Sequence, residues 1–240
     1  MREIFYDQRV PPASFAIELI ARQPLSTRVH RLRFRALAPF RWAAGQYLLI
    51  VRSAGQELSL PYSIASAYDP EHAGEFEIAA AFRAGADVID ALEIGSVLDA
   101  EGPAGTFVWQ ASPSPAALLV GVGTGIAPLR ALIQEELARA TRTRLILLAG
   151  HRAPEDVLFH DDFVKLSAAH PRFQFTPTLT GAESHWLGRR GRVQTQLAEA
   201  VQSLGALDAY VCGRLDMVNE VVGALSALGV PSARIRSEGY

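Results

Sequence analysis

From Ser14 to about Trp109 apolar and polar positions alternate with period two: Leu32 and Phe34 between Arg31, Arg33 and Arg35, and Phe76 and Ile78 beside Glu75 and Glu77. This is the pattern of antiparallel strands with one face buried. It predicts further strands at 15–20, 46–51, 58–65 and 97–100, divided by turn signals such as Ala44-Gly45 and Asp69-Pro70. Six short strands with almost no helix predict a closed antiparallel Greek-key β-barrel, because closure removes exposed edges. One short helix is expected at 87–92, with Asp87 near its start, and Gly102-Pro103-Ala104-Gly105 reads as a turn.

Beyond Ala111-Ser112-Pro113-Ser114-Pro115, an expected linker, strands alternate with helices. Strands at 117–120, 144–149, 173–178, 208–212 and near 234–237, with helices near 128–139, 161–169, 193–204 and 215–228, predict an α/β domain on a five-stranded parallel sheet. The chain thus divides into an N-terminal barrel, residues 1–111, and a C-terminal α/β domain, residues 112–240.

Between Ala116 and Glu136 an apolar run, Ala117 to Val120, breaks into Gly121, Gly123 and Gly125 and then directly into a helix. Glycines let the backbone turn tightly and a ligand approach it, Thr124 can cap, and Pro128 suits a first helical turn. The helix N-terminus facing such a loop is an anion site. The stretch lacks a Gly-Lys-Ser/Thr ending, and Ile126 stands where the third glycine of G-x-G-x-x-G belongs. On its own it indicates phosphate binding only modestly. In a parallel sheet ligands sit beyond the carboxyl ends of the strands, which brings Arg152, Arg189, Arg190 and Arg192 into consideration as phosphate contacts.

Composition narrows the picture. With 240 residues, 49% of them hydrophobic, the chain can fill two modest cores. A net charge of -2 gives no reason to expect nucleic acid or an anionic membrane as partner. No apolar segment reaches the roughly 20 residues of a membrane span, and the start has no secretory h-region. A single cysteine, Cys212, allows no internal disulfide and no iron–sulfur ligand set. A cytoplasmic location is the expectation, and no metal site is expected.

Several stretches occur in a telling order: Gly45-Gln46-Tyr47; Leu60-Pro61-Tyr62-Ser63-Ile64-Ala65-Ser66; Gly102-Pro103-Ala104-Gly105-Thr106-Phe107; GVGTGIAP; Cys212-Gly213; and Glu238-Gly239-Tyr240. In these the chain resembles the ferredoxin-NADP reductase superfamily, especially its flavin reductase branch, over nearly its whole length. The resemblance implies a flavin-binding barrel, a nicotinamide-nucleotide domain, and hydride transfer from NADH or NADPH to flavin, held as FAD or as dissociable FMN or riboflavin. It implies that Tyr62, Ser63, Ile64, Ala65 and Ser66 line the flavin, that Gly123, Thr124, Gly125 and Gly213 contact the nucleotide, and that Tyr240 lies against the flavin. Ser63, Cys212 and Glu238 would surround the hydride path. The family pattern carries an Arg two residues before the tyrosine, where this chain has Leu60. Arg83 and Gly85 are the remaining flavin-phosphate candidates, with Asp87 as an opposing charge. Two alternatives stand beside flavin reduction: an FAD-bound reductase serving a separate ferredoxin, flavodoxin or oxygenase component, and a non-catalytic subunit that senses flavin or nucleotide.

Overall fold

The computed structural model describes residues 13–53, 55–82, 88–110, 114–181 and 186–240. Its first six strands are β1 (Ala13–Pro24), β2 (Val29–Ala36), β3 (Tyr47–Ser53), β4 (Gln56–Ser63), β5 (Glu75–Ala81) and β6 (Val97–Ala104), in the order β4-β3-β6-β1-β2-β5. β3, β4 and β5 follow one another around the wall and β6 returns beside β3, which is a Greek key. An antiparallel bridge between Ile64 and Ile78 closes the barrel. The period-two pattern turns one face of each strand inward, so Ile17, Leu19, Leu32, Phe34, Ile50 and Ile78 are fully enclosed.

Two boundaries differ from the sequence pattern. β6 runs through Gly102 to Ala104, a segment whose composition reads as a turn, because Gly102 pairs with Ala13 and Ala104 with Tyr47. A Cβ on Gly102 would come 3.2 Å from Leu48 Cβ, so the glycine serves close strand packing. The short helix is a 3₁₀ turn, Val88–Ala91. Its expected start at Asp87, the residues Arg83 and Gly85, and the boundary at 111–112 lie outside the described residues.

The second half contains β7 (Ala116–Val122), α1 (Ile126–Ala138), β8 (Arg144–His151), α2 (His160–Ala169), β9 (Phe173–Leu179), β10 (Arg189–Arg190), α3 (Leu197–Leu204), β11 (Asp208–Gly213), α4 (Leu215–Ala227) and β12 (Ile235–Gly239). The sheet is parallel, in the order β10-β9-β8-β7-β11-β12. It has six strands rather than the expected five. The addition is the two-residue β10 beside Thr178 and Leu179, whose exposed arginines carry no hydrophobic alternation to announce it.

β7 is buried on both faces. Ala117 and Leu119 pack with α1 and α2, while Leu118 and Val120 pack with α3 and α4. The chain leaves β7 toward β8 on one side and later places β11 on the other, so the topological switch point lies between β7 and β11. α1 is buried continuously from Ile126 to Ile133 because the sheet covers one side and the barrel residues Ala44, Ala65, Ala79 and Phe107 cover the other. Among the described residues no helix is long and apolar enough to cross a membrane.

Candidate functional site

Loops at the switch point build the site. Val122 ends β7, and Gly123–Gly125 form one 3₁₀ turn leading straight into α1. Gly123 has φ +54°, and a Cβ built on it would meet no protein atom within 4 Å, so this backbone faces open space. Gly125 is glycine for a different reason. Its φ is an ordinary -62°, but a Cβ there would lie 2.4 Å from Cys212 O. The ends of β7 and β11 are thereby pressed together, with Cys212 in register with Gly121 on one side and Glu238 on the other. Gly213, at φ +143°, leaves equally little room against Val122. Thr124 does not cap α1, which has no side-chain cap; its Oγ1 lies 2.7 Å from the Tyr240 hydroxyl.

Beyond this loop opens a cleft of about 580 Å³, lined on the sheet side by Thr124, His151, Arg152, Arg192 and Arg214 and on the barrel side by Ser26, Arg28 and Ala81. The volume lies within the range of small-molecule sites, roughly 300–1,000 Å³. Arg214 is paired with Asp216 (3.1 Å) and Arg192 lies 3.9 Å from Glu220. The guanidinium groups of Arg28 and Arg152 have no protein partner among the described residues. Arg152 lines this cleft. Arg189 and Arg190 do not: Arg189 is held by Gln196 (3.0 Å) and Glu199, and Arg190 donates to Trp186 O (2.8 Å). Their two-residue strand turns them away, and Arg192 is the member of that loop that faces it.

Arg28 was not legible from the sequence, since only the packing of barrel on sheet brings the β1–β2 turn to the cleft. Arg214, directly after Cys212-Gly213, could have been found from its place at a strand end. Buried His151 is held neutral, as burial lowers its pKa to about 4 against a raising contact with the Asp156 backbone.

Three elements converge on the expected hydride path. Ser63 ends β4, Cys212 lies in β11 and Glu238 in β12. Burial raises the Glu238 carboxyl from 4.5 to about 7, and a hydrogen bond with the Ser63 side chain opposes that rise. Cys212 is fully buried, which pushes its thiol well above the usual value, and the Glu238 charge adds to the rise. At neutral pH Cys212 is thus an uncharged small side chain with no thiolate for nucleophilic chemistry.

Other expected flavin contacts are engaged within the protein. Ile64 and Ala65 are fully buried, and their N–H groups donate to Gln46 O (2.9 Å) and Glu77 O (2.7 Å). Ser66 Oγ accepts from Glu77 N (3.0 Å). These residues brace the strand that presents half-buried Tyr62 and Ser63. Tyr240 is 60% exposed but anchored, its N–H donating to Gly213 O and its carbonyl accepting from Leu215 N, both at 3.2 Å. Its ring extends toward Thr124 over the glycine loop.

Residues 119–223 match the family described as the oxidoreductase NAD-binding domain. The chain is 34% identical to ferredoxin–NADP reductase B of Sorangium cellulosum, over 94% of this chain and 97% of that one. It is 29% identical to the NAD(P)H-flavin reductase of Vibrio harveyi, over 81% and 84% of the two chains. Its fold matches a ferredoxin NADP+ reductase from Neisseria gonorrhoeae with bound FAD and NADP, at TM-score 0.78 and 19% identity, over 94% of this chain and 98% of that one. It also matches an Amycolatopsis cytochrome P450 reductase at TM-score 0.85 and 24% identity, over 95% and 69% of the chains. Full-length similarity to the Sorangium protein, together with the switch-point glycine loop, establishes that the chain belongs to the ferredoxin–NADP reductase family.

Proposed function

We propose that this chain is a flavin-dependent NAD(P)H oxidoreductase in which residues 1–111 hold flavin and residues 112–240 hold NADH or NADPH. The observation that carries the reading is the open Gly123 backbone at the head of the cleft, beside the cluster of Ser63, Cys212 and Glu238. The names of the relatives, ferredoxin–NADP reductase and NAD(P)H-flavin reductase, support it.

The residues present fit both ligands. Gly123 leaves space where a pyrophosphate would meet the start of α1, and Arg28 and Arg152, without a partner among the described residues, line the same cleft. At the flavin seat, half-buried Tyr62 supplies an aromatic face and Ser63 a hydroxyl. A Glu238 carboxyl that titrates near neutrality can hold a proton there or release it. Flavin, when bound, supplies the chemistry of hydride acceptance and onward electron transfer. The protein's part is alignment: Gly125 and Cys212 have no bulk between them, which brings the nucleotide loop close to the ends of β11 and β12. Cys212 contributes its small size, and Ser63 orients. With flavin bound, the acceptor would be a separate protein or the dissociating flavin itself, in the cytoplasm.

Leu60 packs toward the barrel core, where the family resemblance expects an Arg for flavin phosphate. A charge-assisted hydrogen bond is worth about 1.5–3 kcal/mol, so its loss weakens phosphate-dependent binding about 10- to 100-fold. This favours a dissociable flavin. In fluorescence titrations riboflavin, FMN and FAD are expected to bind within about tenfold of one another. FAD bound at least about 100-fold more tightly than riboflavin would make it a resident cofactor.

Gly123→Ala places a methyl group in the nucleotide's approach. It costs the fold only the left-handed backbone penalty of about 1–2 kcal/mol. The half-saturating concentration of NADH or NADPH in flavin reduction should rise at least about tenfold, the effect of about 1.4 kcal/mol, with flavin affinity unchanged. Unaltered saturation curves for both nucleotides would contradict this seat.

Glu238 also makes a prediction about pH. Its carboxyl ionises near 4.5 in the unfolded chain and near 7 in the fold, so between those values the folded state holds more protons and stability falls as pH rises. At about 1.4 kcal/mol per unit, and with partial exposure allowed for, Glu238→Gln should gain on the order of 2 kcal/mol relative to the parent between pH 4 and 8. Denaturant unfolding at both pH values measures this, and parallel pH profiles would refute it.

A further inference from the structure

Arg130 lies one helical turn inside α1 and is only 6% exposed. Nη1 donates to Ala65 O (2.7 Å) and to Glu77 Oε2 (2.9 Å) of the barrel. Nε and Nη2 reach Asp162 Oδ2 on α2 at 2.9 and 2.7 Å. Arg31 of β2 binds the same Asp162 oxygen at 2.6 Å and lies 3.9 Å from Glu77. Two arginines and two carboxylates thus form a neutral cluster with members on both halves of the molecule. Both guanidinium carbons also sit over the Phe159 ring, at 4.7 Å for Arg130 and 5.0 Å for Arg31.

The placement of this cluster is specific. Ala65, whose carbonyl Arg130 grips, is two residues beyond Ser63, on the segment presenting Tyr62 and Ser63. At the other end, the helix bearing Arg130 begins immediately after Gly123–Gly125. One guanidinium therefore spans the flavin-side segment and the element that carries the nucleotide loop. Gln134, on the next turn of the same face, accepts from Ala67 N (3.1 Å) and extends the grip along the segment.

Stability alone is a poor account of the cluster. Removing charges from water costs several kcal/mol per ion, and buried ion pairs can often be replaced by apolar residues without loss. Around it the interface is already apolar, with Ala44, Phe107, Leu129 and Leu132 packed together. Apolar contacts tolerate small slides, whereas a guanidinium fork bound on three sides fixes direction as well as distance. Hydride transfer is sensitive to such slides, since a misplacement of about 1 Å can cost on the order of 10²-fold in rate.

We propose that Arg130 is a positioning residue for hydride transfer, setting the distance between the flavin seat at Tyr62-Ser63 and the nucleotide seat at Gly123–Gly125. This rests on the oxidoreductase reading above and adds the element that aligns its two sites. Arg130 touches neither ligand in this account and acts through Ala65 and α1.

The test uses the full chain and two variants. Arg130→Met combined with Asp162→Asn removes one charge of each sign and leaves Arg31 paired with Glu77, which protects folding. Arg130→Lys keeps the charge and loses the fork. Stopped-flow reduction of flavin at saturating NADH or NADPH should slow about 100-fold in the double variant and at least about 10-fold in the Lys variant. Titrated affinities for flavin and for oxidised nucleotide should stay at parent values. The primary isotope effect with nicotinamide-deuterated nucleotide should rise or stay at its full value, as chemistry becomes limiting. Parent-like rates in both variants would overturn the proposal, as would a rate loss matched by equal losses of ligand affinity and melting temperature. A parent chain that leaves flavin oxidised overturns the oxidoreductase reading and this inference together. An active parent with unaffected variants overturns this inference alone.

Discussion

The two halves of this molecule are joined by a part-buried charge cluster centred on Arg130 of α1, which binds the barrel at Ala65 and Glu77 and the neighbouring helix at Asp162. Around it the apolar faces of α1 and the barrel supply attraction without direction. The rest of the site depends on this junction, because neither half contains a complete site. Tyr62 and Ser63 come from the barrel, Gly123 and Cys212 from the sheet, and Glu238 from its last strand. Barrel residues Arg28 and Ala81 complete one wall of the cleft beside the glycine loop.

Within that frame small residues do as much as charged ones. Gly121, Gly125 and Gly213 let β7, its loop and the end of β11 approach so closely that a methyl group on Gly125 would lie 2.4 Å from a carbonyl oxygen. Gly123 has open space above it instead, and there a ligand can meet backbone directly. Cys212 follows the same logic, since burial keeps its thiol protonated and leaves only its size to matter. Glu238 is raised to about 7, because its burial outweighs its hydrogen bond with Ser63. This division of labour suits a protein that aligns two cofactors and leaves the redox chemistry to them.

Much of the fold was legible because burial imposes periodicity. The barrel strands show their inward faces as alternation at Leu32 and Phe34, and β7 shows two-sided burial as an unbroken apolar run. β10 escaped because a two-residue edge strand of exposed arginines has no buried face to encode. Gly102-Pro103-Ala104 misled because glycine and proline mark turns in composition, yet here close contact with Leu48 keeps them in a strand. At the site, the family resemblance names Ser63, Cys212 and Glu238 together, and the fold brings the three side chains next to one another. Arg189 and Arg190 lie off the cleft because a loop's direction depends on tertiary packing. The same limit hid Arg28 and the grip of Arg130 on a carbonyl 65 residues away, a contact that no local pattern encodes.

The central claim is that nucleotide on the switch-point loop and flavin on the barrel meet closely enough for hydride to pass. Anaerobic mixing of the chain with flavin and either NADH or NADPH tests it most directly. The account predicts that the absorbance of oxidised flavin disappears at a rate that saturates with nucleotide. If both ligands bind and the absorbance persists with either nucleotide, the two seats do not communicate and the chain is a binding module without this chemistry.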